Sequence, residues 1–263
     1  MKWSNYLSRL FGRIANYPFP RIVQNGLNSL YVRYFKIDMS EFDTLDSYPT
    51  LNALFTRSLI KNRPFDIEQK ALISPCDSLI MARGKSIDGK ALQIKGMEYP
   101  VSELLGEELE QSYEYVNFYL SPKDYHRFHA PCDLLVLECR YFSGVLLPVN
   151  TPSLRKNVRL FVRNERVVLK CRDEWGETLY FVAVGALNVG QMALYFEPRI
   201  KTNAKAGNAV YRYDSPIKLK KAQEIGLFKM GSTILLFTQN WNFSPKEGAR
   251  VHYGDAIATK ESE

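Results

Sequence analysis

Short apolar runs separated by turn residues fill the chain from Ile73 onward, and this pattern constrains the fold most strongly. Residues 115–120 form one such run, which ends at Ser121-Pro122, and residues 234–237 are apolar throughout. Runs of this length between turn residues are typical of β-strands. Asp88-Gly89 lies between two runs and predicts a hairpin turn. The sequence therefore predicts a compact, mostly antiparallel β body.

Further strands are predicted at residues 78–83, 91–94, 134–137, 159–162, 167–170, 179–184 and 192–196, with Arg163-Asn164-Glu165-Arg166 joining two of them. Residues 178–196 are uncharged over 19 positions, so a membrane-spanning helix is the alternative there. Gly185, Asn188, Gly190 and Gln191 interrupt this stretch and divide it into two strand-like halves. Two buried strands are therefore expected, and a spanning helix is not.

The first 60 residues have a helical pattern instead. One helix precedes the break at Pro18-Phe19-Pro20, a second covers about residues 23–35, and a third covers residues 50–59 with Thr50 as its N-cap. The predicted fold class is therefore α+β. We expect a helical segment, residues 1–65, to lie on a β-rich domain, residues 66–263.

The net charge of +7 is concentrated at the N-terminus. Residues 1–36 contain no Asp or Glu and six cations: Lys2, Arg9, Arg13, Arg21, Arg33 and Lys36. Trp3, Leu7, Leu10, Phe11 and Ile14 fall on the other side of the first predicted helix. A basic amphipathic helix with a tryptophan is typical of a membrane interface, whereas nucleic-acid binders usually carry denser basic clusters. We expect an anionic membrane as partner and no nucleic acid, with packing on the protein's own core as the alternative.

The N-terminus shows no export signal, because Arg9 and Arg13 interrupt any apolar stretch. The four cysteines are therefore expected to be reduced thiols in the cytoplasm; they are Cys76, Cys132, Cys139 and Cys171. His126, His129 and Cys132 recur at three-residue intervals, but Pro131 interrupts any helix that would align them. No metal site is predicted.

Ser232, in Met230-Gly231-Ser232-Thr233, is the candidate nucleophile. His126 and His129 share a short loop, and Asp77 lies in the turn Pro75-Cys76-Asp77-Ser78. A serine, a histidine and a carboxylate together can make an activated nucleophile. Because Ser232 follows a glycine, its hydroxyl can also attack the Gly231 carbonyl, so that the amide becomes an ester, elimination splits the chain, and the serine becomes a pyruvoyl group. An ordinary serine entering a strand is the alternative.

Three segments together resemble phosphatidylserine decarboxylases of the bacterial, pyruvoyl-dependent type: Gly231-Ser232-Thr233, residues 119–129 and residues 161–166. The resemblance extends over about residues 31–237, with the motifs in the family's order. It implies decarboxylation of phosphatidylserine to phosphatidylethanolamine through a Schiff base with a pyruvoyl group made from Ser232. It also implies cleavage between Gly231 and Ser232 into a large β chain (1–231) and a small α chain (232–263). These chains would form a heterodimer, which further dimerisation could enlarge. The basic N-terminus and the lack of an apparent export signal predict a peripheral protein on the cytoplasmic side of the cell membrane.

The resemblance implies roles for individual residues as well. His129 is expected to deprotonate Ser232, and Asp77 to orient His129 and stabilise its charge. The other roles are assigned from the residues themselves. His126, which is left free for the second reaction, is the expected proton donor for decarboxylation, with a contact to the lipid phosphate as the alternative. Asp124 is the competing carboxylate, whose other role is a turn cap after Pro122. His252 is expected to be structural or exposed.

The segment Arg163-Asn164-Glu165-Arg166 is left outside the catalytic set, because two arginines in a turn can bind phosphate or pin a hairpin by ion pairs. Two positions differ from the family's usual pattern. Met230 replaces leucine, which conserves volume. Cys76 and Ser78 replace alanine and glycine beside Asp77, and Ser78 would be strained if the turn required a positive φ there.

Two other function classes are compatible with parts of the sequence. A serine hydrolase acting on lipids could use the same Asp77, His129 and Ser232, but no Gly-x-Ser-x-Gly motif surrounds Ser232. A membrane-bound adaptor without catalytic activity would need only the basic N-terminus.

Overall fold

The computed structural model describes residues 10–94, 97–109, 111–187, 191–200, 202, 207–229 and 232–260. Its N-terminal part is helical, with α1 at residues 10–15 of the described part, α2 at Arg21–Phe35 and α3 at Leu51–Phe55. A short 3₁₀ turn covers Leu45–Ser47. The second predicted helix is thus confirmed. It begins directly after Pro20, and it ends where Lys36 adopts a left-handed conformation with φ 54°.

Helix α3 begins as predicted but is shorter. The Thr50 hydroxyl oxygen accepts a hydrogen bond from the Ala53 N–H at 3.0 Å, which confirms the N-cap. The helix ends at Phe55 rather than continuing to residue 59. Just beyond it the buried Arg57 guanidinium donates to the Lys123 carbonyl oxygen at 2.7 Å, so a tertiary contact overrides the local helical pattern.

The β body follows. Its strands are β1 Ala71–Ile73, β2 Ser78–Lys85, β3 Lys90–Ile94, β4 Met97–Pro100, β5 Glu114–Leu120, β6 Arg127–His129, β7 Leu134–Phe142, β8 Arg166–Asp173, β9 Thr178–Gly185, β10 Met192–Leu194, β11 Ala209–Leu219, β12 Glu224–Phe228, β13 Ser232–Thr238, β14 Trp241–Phe243, β15 Arg250–Val251 and β16 Ala256–Lys260. Three short helices interrupt them: α4 Val101–Leu105, α5 Thr151–Lys156 and α6 Leu160–Arg163.

An antiparallel sheet of eight strands forms the centre, in the order β11-β7-β8-β9-β13-β5-β2-β15. Strand β13 lies inside this sheet and is buried at every residue, as its continuous apolar run predicts. A smaller sheet, β10-β12-β6, carries the loop with the two histidines, and β1-β16-β14 closes the C-terminal end. The helical N-terminus and the antiparallel body confirm the predicted α+β class.

The structure confirms the turn at Asp88-Gly89, where φ is 48° and 69° and Ile87 pairs with Lys90. The two strands expected within residues 178–196 are β9 and β10. Among the described helices, none is both long and apolar enough to cross a membrane.

The strand predicted at residues 159–162 is wrong, because residues 160–163 form helix α6. Arg159 has a left-handed φ of 58°, which ends the extended chain just before the apolar run. At the other end of the helix the Arg166 guanidinium donates to the Val162 carbonyl oxygen at 2.7 Å. Arg163-Asn164-Glu165-Arg166 therefore connects a helix, rather than a strand, to β8.

Candidate active site

Ser232 is the first residue of β13, directly opposite Leu120 on β5 and Gly185 on β9. It is fully buried, and its hydroxyl has no hydrogen-bond partner within the described residues. Met230 and Gly231, and with them the predicted cleavage bond, lie outside those residues. A buried polar group without a partner costs about 1–3 kcal/mol, so such groups point to a function other than stability.

His126 is also fully buried. Its Nδ1 lies 2.7 Å from the Asp124 carbonyl oxygen, an acceptor only, so Nδ1 carries the hydrogen and Nε2 keeps its lone pair. Nε2 has no hydrogen-bond partner in the described part of the chain. Burial, assisted by the Arg57 charge, lowers the pKa of His126 to about 3, so the ring is neutral near pH 7.

The backbone places His126 near the segment that leads to Ser232. Its carbonyl oxygen accepts a hydrogen bond from the Phe228 N–H at 2.9 Å, at the end of β12. Ser232 follows Phe228 by only four residues. A chain of that length spans at most about 14 Å, which keeps the two residues in one region of the molecule.

His129 ends strand β6 and is held from three sides. Its Nδ1 donates to the Ala222 carbonyl oxygen at 3.0 Å, and its Nε2 accepts from the Tyr125 hydroxyl at 3.2 Å. The ring stacks on Tyr253 with 3.7 Å between centroids and 17° between planes. Burial lowers the pKa of His129 to about 4. This ring is therefore neutral as well, with its lone pair on Nε2.

Asp77 is buried beside Arg63 and the C-terminal segment. Arg63 donates to both carboxylate oxygens, at 2.5 and 3.1 Å, and the Tyr253 N–H donates to Oδ1 at 2.8 Å. His252 Nδ1 lies 3.7 Å from Oδ2. Burial acts to raise the pKa of Asp77, but His252, Arg63 and the Tyr253 N–H bring it down to about 2. The carboxylate is therefore negative near pH 7.

Asp77 and His129 lie in one cluster, although no hydrogen bond joins the carboxylate to the ring among the described contacts. Tyr253 connects them, since its N–H binds Asp77 and its ring stacks on His129. The Pro75 carbonyl oxygen also accepts from the His129 N–H at 2.9 Å. The strain considered at Ser78 does not arise, because Ser78 begins β2 without a positive φ.

Arg63 and Tyr253 are central to this cluster, but no sequence motif marks either of them. An arginine 14 residues from Asp77 and a tyrosine 176 residues away carry no local motif. His252 was expected to be structural or exposed; its side chain is 60% exposed and lies against Asp77. Hydrogen bonding to Asp77, together with the Asp77 charge, raises the pKa of His252.

Asp124 closes the turn after Pro122, as the alternative interpretation predicts. Its Oδ2 accepts from both the N–H and the hydroxyl of Ser121, each at 2.7 Å. Oδ1 accepts a hydrogen bond from Arg250. Burial raises the pKa of Asp124. Its contacts place it in the turn and in the support of His126 through its carbonyl oxygen.

A polar cleft of about 190 Å³ opens beside Asp77. Its lining combines cations with acids: Lys36, Arg57, Arg63, Lys123, Arg250 and His252 with Asp38, Glu41, Asp77 and Asp124, together with Phe42. A cleft with both signs of charge suits a small polar group that carries both. A larger cavity of about 460 Å³, between the ends of β7, β8 and β11, shares no lining residue with this cluster.

Arg166 makes no ion pair with a carboxylate of the described residues. It is buried and donates to the carbonyl oxygens of Leu104 and Glu103, both at 2.7 Å, besides that of Val162. Burial lowers its pKa to about 10. Arg166 thus satisfies carbonyl groups at the ends of α4 and α6, which is neither of the two roles considered for it.

Comparison with known proteins shows similarity to one family along nearly the whole chain. Residues 51–259 match the family model described as phosphatidylserine decarboxylase. A Helicobacter pylori (strain Shi470) protein named phosphatidylserine decarboxylase proenzyme is 57% identical over 257 residues, which cover 97% of this chain and 96% of the relative. A Campylobacter jejuni protein of the same name is 44% identical, covering 98% and 100%. One from Anaeromyxobacter is 36% identical, covering 96% and 93%.

Proposed function

The chain belongs to the phosphatidylserine decarboxylase family, and we propose that it converts phosphatidylserine to phosphatidylethanolamine with a pyruvoyl group made from its own Ser232. The observation that carries this proposal is the position of Ser232: fully buried, without a hydrogen-bond partner in the described residues, at the start of a central strand. The relatives' shared name, proenzyme, agrees with a chain that must be processed.

The surroundings of Ser232 fit a pyruvoyl group. Such a group is small and uncharged, so it needs no ion partner. The neighbouring strands β5 and β9 enclose Ser232 with Leu120 and Gly185, neither of which is charged. The loss of the serine hydroxyl leaves no hydrogen bond broken within the described structure.

Cleavage begins when the Ser232 hydroxyl oxygen attacks the carbonyl carbon of Gly231 and the peptide C–N bond breaks. The ester that forms is split when a base removes the Ser232 α-proton, which releases the Gly231 carboxylate as the new C-terminus. Water then replaces the nitrogen of the resulting dehydroalanine, and ammonia leaves. The paired strands on both sides of β13 hold Ser232 in place during these steps.

His129 is the proposed base for the first step. Its Nδ1–H is bound by the Ala222 carbonyl oxygen, so only Nε2 can take a proton. That nitrogen must exchange the Tyr125 hydroxyl for Ser232. Once charged, the ring is stabilised by the negative Asp77, whose contact with Tyr253 also keeps the stacked ring in position.

His126 is the proposed proton donor in decarboxylation. When a substrate amine is bound, a pyruvoyl carbonyl supplies an electron acceptor for the pair released as carbon dioxide leaves. His126 holds its Nδ1–H on Asp124 and leaves Nε2 available. Burial keeps the resting His126 ring neutral, so Nε2 has no proton to donate at first. His126 would therefore accept a proton from the substrate and return it to the product carbon.

The two chains are proposed to remain together as a heterodimer after cleavage. Every strand of residues 232–260 outside β14 pairs directly with a strand of residues 1–231: β13 with β5 and β9, β15 with β2, and β16 with β1. Separation would expose the buried apolar face of β13, so the pieces form one core.

Helix α2 supports attachment to a membrane. Its outward side exposes Ile22 by 89%, Leu30 by 64% and Tyr34 by 76%. Arg21 and Arg33 belong to the same helix, which contains no acidic residue. An apolar surface flanked by cations fits the interface of an anionic membrane, and we propose a peripheral location on the cytoplasmic side of the cell membrane. Of the predicted amphipathic helix, residues 1–9 lie outside the described residues.

The proposal is tested by assaying the purified protein with vesicles that contain phosphatidylserine. We expect release of carbon dioxide and formation of phosphatidylethanolamine. Hydroxylamine, or borohydride added with substrate, should abolish turnover, because both react with a carbonyl-based centre. Full activity after either treatment would contradict the proposal. Labelling of intact chain by a fluorophosphonate probe would instead favour the serine hydrolase.

A further inference from the structure

We infer that Asn164 is a positioning residue for self-cleavage: it fixes Gly185, the strand residue directly opposite Ser232. This inference rests on the cleavage proposed above and adds a residue to it. Asn164 belongs to the Arg163–Arg166 segment, to which the proposed chemistry gives no part.

The Asn164 side chain is fully buried and uses its amide as a three-way clamp. Its Nδ2 donates to the Gly185 carbonyl oxygen at 2.8 Å and to the Leu147 carbonyl oxygen at 2.9 Å. Its Oδ1 accepts from the Leu147 N–H at 3.3 Å. Two backbone segments that are distant in sequence are thereby joined by one side chain.

Gly185 turns both of its backbone groups toward this clamp. Its carbonyl oxygen binds Asn164, and its N–H donates to the Glu165 carbonyl oxygen at 2.8 Å. Both groups of a strand residue point to the same side, so Gly185 and Ser232 form a non-hydrogen-bonded pair. In antiparallel sheets such pairs have the closer Cα–Cα spacing, about 4.5 Å. The position of Gly185 relative to Ser232 therefore depends on the groups behind it.

The loop of residues 144–147 holds the clamp from the other side. The Val145 N–H donates to the Arg163 carbonyl oxygen at 3.0 Å, and the Glu165 N–H donates to the Val145 carbonyl oxygen at 2.9 Å. A Cβ on Gly144 would lie 2.4 Å from the Glu165 nitrogen, so only glycine permits this approach. The Leu187 N–H reaches the Leu147 carbonyl oxygen at 3.3 Å, which extends the contact past Gly185.

This arrangement matters for reaction geometry more than for the stability of the sheet. Strand β13 is paired along its length with β9 and β5, so the sheet has many other contacts. The attack of Ser232 on Gly231 takes place at the strand's first residue, where Gly185 is the β9 partner. Displacements of about 1 Å near reacting groups can slow a reaction by about 100-fold.

The test compares Asn164→Ala with Asn28→Ala, a matched control. Asn28 is an equally buried asparagine whose Nδ2 donates to the carbonyl oxygens of Leu45 and Tyr48 and whose Oδ1 accepts from Gln24. Each substitution removes three amide hydrogen bonds. Cleavage is followed in pulse-labelled chains from cell-free translation, and thermal unfolding is measured beside it. We expect at least about tenfold slower cleavage for Asn164→Ala and an unchanged rate for Asn28→Ala.

A second variant, Asn164→Asp, addresses failure to fold. Its carboxyl would face two carbonyl oxygens, so it can restore one hydrogen bond only when protonated. Its cleavage rate relative to the unaltered chain at the same pH should rise as the pH falls, whereas the ratio for Asn28→Asp should stay flat.

The outcomes separate the two proposals. If the unaltered chain cleaves and both Asn164 variants cleave at its rate, this inference is overturned while the proposed function stands. Slowing by Asn28→Ala equal to that by Asn164→Ala would also overturn it, because general destabilisation would then explain the effect. An unaltered chain that stays intact would contradict the proposed cleavage, and the inference with it.

Discussion

At the scale of single residues, the site is marked by groups that burial leaves unsatisfied or uncharged. Ser232 Oγ and His126 Nε2 are buried without hydrogen-bond partners in the described residues. His129 has partners at both nitrogens, yet burial keeps it neutral. Both carboxylate oxygens of Asp124, in contrast, have partners: Ser121 in the turn and Arg250 outside it. A neutral imidazole and an unpaired hydroxyl are the two groups that proton transfer from a serine requires.

The two histidines should be separable by substitution. We expect His129→Ala to leave the chain uncleaved, since the proposed base is lost. His126→Ala should still cleave but lose decarboxylation by at least about 100-fold, the usual contribution of a general acid or base. Electrophoresis and a carbon dioxide assay measure the two steps separately. The reverse pattern would exchange the two assignments, and His126 Nε2 does lack a hydrogen-bond partner among the described residues.

At the scale of secondary-structure elements, local sequence patterns correctly predicted the features that depend on local interactions. The buried run of β13, the Asp88-Gly89 turn and the Thr50 cap follow from burial, backbone conformation and one side-chain hydrogen bond. The error at residues 159–162 has a cause that the apolar run does not reveal, the left-handed Arg159. Propensity is a weak guide when a single backbone angle redirects the chain.

Contacts between distant elements limited prediction of the site. The sequence singled out Asp77, His126, His129 and Ser232, and the structure places the first three on neighbouring turns and strands. The groups that hold these side chains differ from the expectation that Asp77 itself orients His129. Arg63 binds Asp77, whereas Ala222, Tyr125 and Tyr253 contact His129. None of these supports has a motif, because each depends on how separate strands dock.

Helix α2 yields a prediction at this scale. Replacing Ile22 and Leu30 together by Glu should reduce binding to vesicles of anionic phospholipid by at least about tenfold, because charges would enter the apolar interface. The control is Ile67→Glu, at an isoleucine of the β-rich half that is 83% exposed. Vesicle co-sedimentation measures the binding, and cleavage should proceed in both proteins. Equal binding by the double variant and the control would show that α2 is not the membrane surface.

At the scale of the whole molecule, residues 232–260 share β-sheets with the rest of the chain. Strands β13, β15 and β16 each pair with strands from residues 1–231, and Tyr253 joins Asp77 to His129 across the proposed cleavage. The proposed catalytic cluster therefore needs both pieces. The proposed cleavage would change the covalent connection and leave these strand pairs in one core.

The buried histidines make whole-molecule stability depend on pH. Their pKa values in the folded state, about 3 and about 4, lie below the ordinary 6.5, so the unfolded chain binds more protons between those values. Stability is therefore complete above about pH 6.5 and falls as the pH drops. Each histidine should contribute a loss of about 1–2 kcal/mol between pH 7 and pH 5.

Asp77 makes the stability depend on pH only in a lower pH range. Its pKa of about 2 in the folded state lies below the ordinary 3.8, so its stabilisation is lost only as the pH falls below about 4. Urea unfolding of the uncleaved Ser232→Ala chain measures the effect. Adding His126→Gln should reduce the loss between pH 7 and pH 5 by about half, while adding His252→Gln should not, because the folded-state pKa of His252 is raised. An unchanged loss with His126→Gln would show that this ring is not buried and neutral.

The most direct test of the central claim is an intact-mass spectrum of the freshly purified protein. We predict two pieces in place of a single 30.3 kDa chain: residues 1–231 with an ordinary carboxylate, and residues 232–263 lighter by one ammonia than hydrolysis would give. The Ser232→Ala chain should appear at full mass. An active protein whose mass is that of the uncut chain, or a Ser232→Ala chain that still divides, would contradict the account.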